Sequence, residues 1–157
     1  MVAERRLTNV RMLPLQPQNA FANMLAASDL LMLVQRAGVT DAVVPSKLLS
    51  YMAAGRAVCV SADQESEAAR IVRRAGCGAV VLPEDPAALA AAIRSMTASP
   101  AALAEMGSRG RLHVRRFFAK PIILERYRAF LEASVRVRGG TVEIDPADAV
   151  DRRAQAG

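Results

Sequence analysis

No tryptophan occurs in this chain, aromatic residues make up only 4% of it, and His113 is its single histidine. The scarcity of aromatics leaves Ala, Leu, Val and Met to fill the core. It also argues against a nucleic-acid surface, which interleaves stacking rings with its cations. The lone histidine lies among arginines and reads as a surface residue, so no acid–base pair nominates a catalytic set. Two cysteines, Cys59 and Cys77, fall in or beside apolar segments. They read as buried small hydrophobes in a reducing compartment, with a disulfide as the alternative. No Cys/His cluster has metal-ligand spacing, so no metal is expected. No glycine-rich phosphate loop of either common type is present. No apolar run reaches the roughly 20 residues of a membrane-spanning helix. The first six residues have no apolar stretch after their charges, so they do not read as a secretory signal.

What is present is a 157-residue chain that is 52% hydrophobic, enough for one domain with a packed core. Residues 1–138 read as that domain. From Gly139 onward the sequence is polar and aperiodic, and a disordered tail is expected over residues 139–157. The net charge of +6 is concentrated. From Glu105 to Arg128, seven basic side chains (Arg109, Arg111, Arg115, Arg116, Lys120, Arg126, Arg128) stand against Glu105 and Glu125. Such a patch suits a solvated helix face, anionic lipid headgroups, nucleic acid or an acidic partner.

Apolar strand-like runs alternate with amphipathic helical segments. Strands are predicted at residues 9–15, 30–34, 57–61 and 79–82, and helices at 20–27, 45–55, 66–75, from Asp85–Pro86 onward, at 100–118 and at 121–136. Asp85-Pro86 and Ser99-Pro100 are helix starts, each a cap residue followed by proline at the first helical position. Gly76 is a helix stop, and Gly107 and Gly110 are candidate breaks in the penultimate helix. In the last helix, Ile123, Tyr127, Phe130 and Leu131 share a face. The alternation predicts an α/β fold, a parallel sheet flanked by helices. Ligands of such sheets bind beyond the carboxyl ends of the strands, which marks residues 35–46, 62–66 and 83–85.

The first of these loops leads into Pro45-Ser46-Lys47-Leu48-Leu49-Ser50-Tyr51-Met52-Ala53-Ala54-Gly55. Lys47 falls in the first turn of that helix, where the helix dipole disfavours a cation. An anion held at the helix N-terminus would account for it. Ser46 can cap the helix or donate its hydroxyl to a phosphate oxygen. Lys47 adds a point charge, and the amides of Lys47 and Leu48 are expected to be free. A surface lysine on a capped helix is the plainer alternative. Glu65 and Glu67 open the next helix, where they suit its dipole or could accept hydrogen bonds from ribose or sugar hydroxyls.

Residues 45–58 resemble the P-S/N-K-x-x-E-Y-M-A-x-G-x-P-V segment of GT-B glycosyltransferases of family 4. Residues 26–33 (AASDLLML) resemble the family's A-A-x-D-x-x-L join, and residues 76–89 its G-x-G-x-x-V-x-P-x-D-P-x-A-L stretch. Met106-Gly107, the Arg-rich segment and Phe117-Phe118 resemble its terminal helices. The likeness runs from about residue 9 to residue 133 and is nearest to bacterial exopolysaccharide or capsule enzymes.

The resemblance implies the Rossmann-like, donor-binding C-terminal domain of a GT-B fold, in part, with its C-terminal helices. It implies a retaining transfer of sugar from a nucleoside diphosphate, UDP- or GDP-linked, to a glycan or lipid-linked acceptor. No cofactor beyond that substrate is implied. Ser46, Lys47 and the Leu48 amide would contact the diphosphate, and Gln35, Ser50 and Glu67 would line the nucleoside or sugar side. Ser50 stands where the family has a ribose-binding Glu, and the earlier carboxylate position falls at Ala42, beside Asp41. A hydroxyl cannot hold two ribose hydroxyls as a carboxylate does. The acceptor domain has no counterpart here, so self-association or a separately encoded partner is expected, and no turnover by the chain alone. A cytoplasmic location follows, with the Arg-rich helices as a contact to the inner face of the membrane.

Overall fold

The computed structural model describes residues 7–38 and 45–136. They fall into two units that part between Arg116 and Phe117. The sequence readings at Asp41 and Ala42 and over the tail lie outside the described residues.

A 3-10 turn at Gln18–Ala20 leads into α1 (Phe21–Ala26). Then come β1 (Leu30–Val34), α2 (Ser46–Ala53), β2 (Ala57–Ser61), α3 (Glu67–Ala75), β3 (Gly78–Val81), α4 (Pro86–Thr97) and α5 (Pro100–Phe117). The strands form one parallel sheet in the order β1-β2-β3, with Leu30 beside Ala57 and Cys59 beside Ala79. This is the parallel α/β sheet read from the alternation and the Rossmann-like domain implied by the resemblance, with three strands among the described residues rather than four. Residues 9–15 form no strand. The carbonyls and amides of a strand need a partner, this stretch pairs with nothing in the sheet, and Pro14 and Pro17 supply no donors. Its side chains are correspondingly exposed, Leu15 completely.

β2 is the middle strand, and its Ala57–Val60 backbone carries side chains with no solvent exposure at all. A continuous apolar run suits a strand covered on both faces. The connections β1-α2-β2 and β2-α3-β3 step across the sheet in one direction, and right-handed crossovers put α2 and α3 on one face. Leu48 and Met52, one helical turn apart on α2, are wholly buried, as is Val72 on α3. The other face is covered by α4 and α5. There Met96, Leu103, Leu89, Ile93 and Met106 pack against Ala57, Cys59, Leu30 and Ala79. Residues 57, 59 and 79 share that face because side chains alternate along a strand.

The helix ends follow the sequence signals. Ser66 Oγ accepts a hydrogen bond from Ala69 N at 3.3 Å, and Asp85 Oδ1 accepts one from Ala88 N at 2.8 Å with Pro86 in the first turn. Ser99 Oγ accepts one from Ala102 N at 3.3 Å. Gly76 closes α3 in the left-handed conformation, φ +58°. Gly107 and Gly110 do not break α5, which is continuous for 18 residues. They are contact points. A Cβ on Gly107 would lie 2.2 Å from the carbonyl oxygen of Gly55, and one on Gly110 3.0 Å from Cys77 Cβ. Arg109, beside them, donates from Nε to Gly76 O at 2.7 Å and from Nη1 to Glu105 at 2.6 Å. Part of the arginine cluster therefore holds α5 against the C-terminal end of α3, where a cation complements the dipole.

The second unit carries α6 (Lys120–Arg136). Arg126 Nη1 donates to Phe117 O at 3.1 Å, and Arg128 pairs with Glu132 at 3.0 Å. Ile123, Tyr127, Phe130 and Leu131 share a face as read, and all four are exposed.

Candidate functional site

Helices α2, α3 and α4 each follow a strand of the parallel sheet, so their N-termini belong to its carboxyl edge. There Gln35 N donates to Ser61 O at 2.8 Å and Ala62 N to Val81 O at 3.1 Å, carrying the parallel pairing one residue past the strands. Ser61 Oγ reaches Leu82 O at 3.4 Å. Of the residues singled out in the sequence, Gln35, Ser46, Lys47 and Glu67 follow a strand or open a helix at this edge. It also carries Asp63 and Glu84, which were not.

The N-terminus of α2 is an open positive end. Pro45 occupies the cap position and offers no side-chain acceptor, and the first turn holds no acidic residue. Ser46 and Lys47 are both exposed. Ser46 is the first helical residue and not the cap, so its hydroxyl is not used as one. The amide of Leu48 is not free as expected. It donates to Pro45 O at 2.9 Å, a tight first turn, and the Leu48 side chain is fully buried in the core. The anion-facing groups of this turn are therefore the Ser46 and Lys47 amides, the Ser46 hydroxyl and the Lys47 ammonium.

Ser50 lies one turn further along α2, and its Oγ donates to Ser46 O at 3.1 Å. That local bond is common for serine inside a helix, and it engages the hydroxyl proton with the helix itself. Glu67 starts α3, where its charge suits the dipole. Its Oε2 lies 3.9 Å from Arg70 Nη1, and Glu65 Oε2 lies 3.5 Å from Arg70 Nη2. Arg70 thus sits between the two carboxylates at the rim.

Asp63 Oδ2 accepts a hydrogen bond from Gly38 N at 3.0 Å, joining the loop after β1 to the loop after β2. Nothing local in the sequence announces a bond between residues 25 apart. Glu84, after β3, has φ +61°, a left-handed conformation uncommon for a side-chain-bearing residue. Position, not composition, marks both: each follows the end of a strand by two or three residues.

Other titratable groups lie elsewhere. Burial holds the His113 imidazole below its usual pKa, and the nearby Arg74 charge adds to this. Arg74 is in the last turn of α3, so His113 is at the amino end of the sheet, opposite the candidate site. Burial pushes the Cys77 thiol up to about 11, against its own backbone hydrogen bond and the charge of Arg109, and raises that of Cys59. Both are free and buried. A cavity of about 450 Å³ opens at that same amino end, lined by Asp29, Arg56, Thr97 and Leu103 among others. It is separate from the carboxyl edge. Among the described residues no group of His, Cys, Asp and Glu could hold a metal ion, and no single helix is long and apolar enough to cross a membrane.

Residues 1–113 match the family of glycosyl transferases group 1. The chain belongs to the group 1 glycosyl transferases. The match takes in all three strands, α1 to α4 and most of α5, and so every carboxyl-edge residue of this glycosyl transferase domain. Over 101 residues the chain is 34% identical to the putative colanic acid biosynthesis glycosyl transferase WcaI of Escherichia coli strain K12, covering 64% of this chain and 25% of that protein. The glycosyl transferase chain thus spans about a quarter of the length of that relative. No solved structure matches it.

Proposed function

We propose that the carboxyl edge of this domain binds the diphosphate of a nucleotide-sugar donor, UDP- or GDP-linked, for a retaining sugar transfer in exopolysaccharide synthesis. The observation that carries this reading is the first turn of α2: an exposed lysine at an uncapped helix N-terminus, with no acid beside it. Backbone amides, the dipole and an ammonium then act on one anion. Gln35 and Glu67 line the nucleoside or sugar side. Membership in a glycosyl transferase family and the likeness to a colanic acid enzyme support the donor class and the pathway.

Acceptor-binding groups that complete the reaction come from a partner, either a further domain or a second polypeptide. The basic residues of α5 and α6 suit a peripheral contact with the inner face of the cell membrane. One observation favours a second reading, a nucleotide-binding or interaction module without turnover. Ser50 offers a hydroxyl where the family has a carboxylate, and that hydroxyl already donates to Ser46 O.

A thermal-shift titration with UDP-, GDP- and ADP-sugars tests the site. The melting temperature should rise with the matching donor, and Lys47→Ala should remove most of the rise. Absence of any shift with all three nucleotides would refute donor binding by this chain.

A further inference from the structure

One side chain joins the segments that follow β1 and β2. After β1 the described residues run from Gln35 to Gly38. The loop after β2 holds Asp63 and ends at Ser66 and Glu67. Asp63 Oδ2 accepts the Gly38 amide at 3.0 Å. Gly38 has φ +75°, and among the described residues nothing lies within 4 Å of where its Cβ would be. The backbone conformation, not crowding, therefore calls for glycine there. On its other side Asp63 is anchored by the start of α3: its carbonyl accepts Ser66 N at 2.9 Å, and Ser66 Oγ caps the helix at Ala69 N. The Asp63 backbone is thus fixed by α3, while its carboxylate reaches across to the exposed turn at Gly38. α3 does not need that carboxylate for its cap, and the sheet core does not contain it.

We propose that Asp63 is a positioning residue for the donor site. Its carboxylate holds residues 35–38 against the segment that leads into α3, so that Gln35 and Glu67 are set relative to one another before a donor arrives. Preorganisation of this kind removes an ordering cost from binding. A charge-assisted bond from a carboxylate to a backbone amide is strong enough to do so. The role rests on the donor-binding reading above; the tether itself does not.

The experiment uses the whole chain as wild type, Asp63→Ala, Asp63→Asn and Gly38→Ala. Two quantities are read: amide hydrogen exchange at Gly38, and UDP and GDP affinity by calorimetry. Asp63→Ala should speed exchange at Gly38 and weaken nucleotide binding about tenfold, the worth of one charge-assisted hydrogen bond. Asp63→Asn keeps a neutral acceptor oxygen and should restore both in part. Gly38→Ala, which loosens the same bond from its other end, should weaken binding alike and serves if Asp63→Ala does not fold. The melting temperature of Asp63→Asn should match the wild type. Unchanged Gly38 exchange in Asp63→Ala overturns the tether, whatever the nucleotide result. Faster exchange with unchanged affinity overturns the positioning role. A wild type that binds neither nucleotide overturns the donor-binding reading and this role with it, while the exchange data still decide the tether.

Discussion

His113 is partly buried on α5, and burial together with the Arg74 guanidinium holds its pKa below the ordinary 6.5. The folded state thus favours the neutral ring. Below pH 6.5 the unfolded chain takes up the proton more readily, so stability falls as pH drops through that value and levels off below the folded pKa. Denaturant midpoints at pH 7.5 and 5.5 should show a loss in the wild type that is smaller in His113→Gln. An equal loss in both would mean that other groups set the acid sensitivity. The ring's environment was not legible in the sequence, where a histidine among arginines read as a surface residue. Leu48 shows the same limit: its place in the first turn suggested a free amide, whereas the turn closes tightly on Pro45 O. The helix start at Ser46 was legible because a proline followed by a helical stripe is a local signal.

At the scale of elements, α5 shows how tertiary contact reverses a local preference. Glycine inside a helix ordinarily costs about 1 kcal/mol relative to alanine, which is why Gly107 and Gly110 read as breaks. Here a Cβ on Gly107 would meet Gly55 O at 2.2 Å, so the helix approaches the start of β2 only because the side chain is absent. Gly107→Ala should therefore destabilise by about 1–3 kcal/mol, the usual cost of overpacking, where propensity alone expects stabilisation. Urea unfolding reads the sign directly. The capped helices were legible from residue pairs such as Asp85-Pro86, because a cap is a bond between neighbours. The predicted strand at residues 9–15 failed for the opposite reason: an apolar run becomes a strand only through a partner, and partners are not local.

At the scale of the molecule, β1 is a sheet edge in the described structure, and it is not blunted by charge or proline. Met32 and Val34, on the side that α4 and α5 cover elsewhere, are 44% and 62% exposed. Such an edge should pair with something. Sedimentation velocity is expected to show concentration-dependent association of the chain, weakened by Val34→Lys. A monomer at every concentration would show that the edge is tolerated. The parallel sheet and the loops at its carboxyl edge were legible from alternation; the strand order was not. The tie between Asp63 and Gly38 was not, because it joins residues 25 apart across two loops.

Two-dimensional ¹H–¹⁵N NMR of the chain titrated with UDP and with GDP decides whether the first turn of α2 holds the donor diphosphate. With a diphosphate held there, the Ser46 and Lys47 amides shift most, with saturation, and Lys47→Ala weakens the binding about tenfold or more, as loss of a charge-assisted contact would. Shifts confined to other regions, or none with either nucleotide, would contradict it.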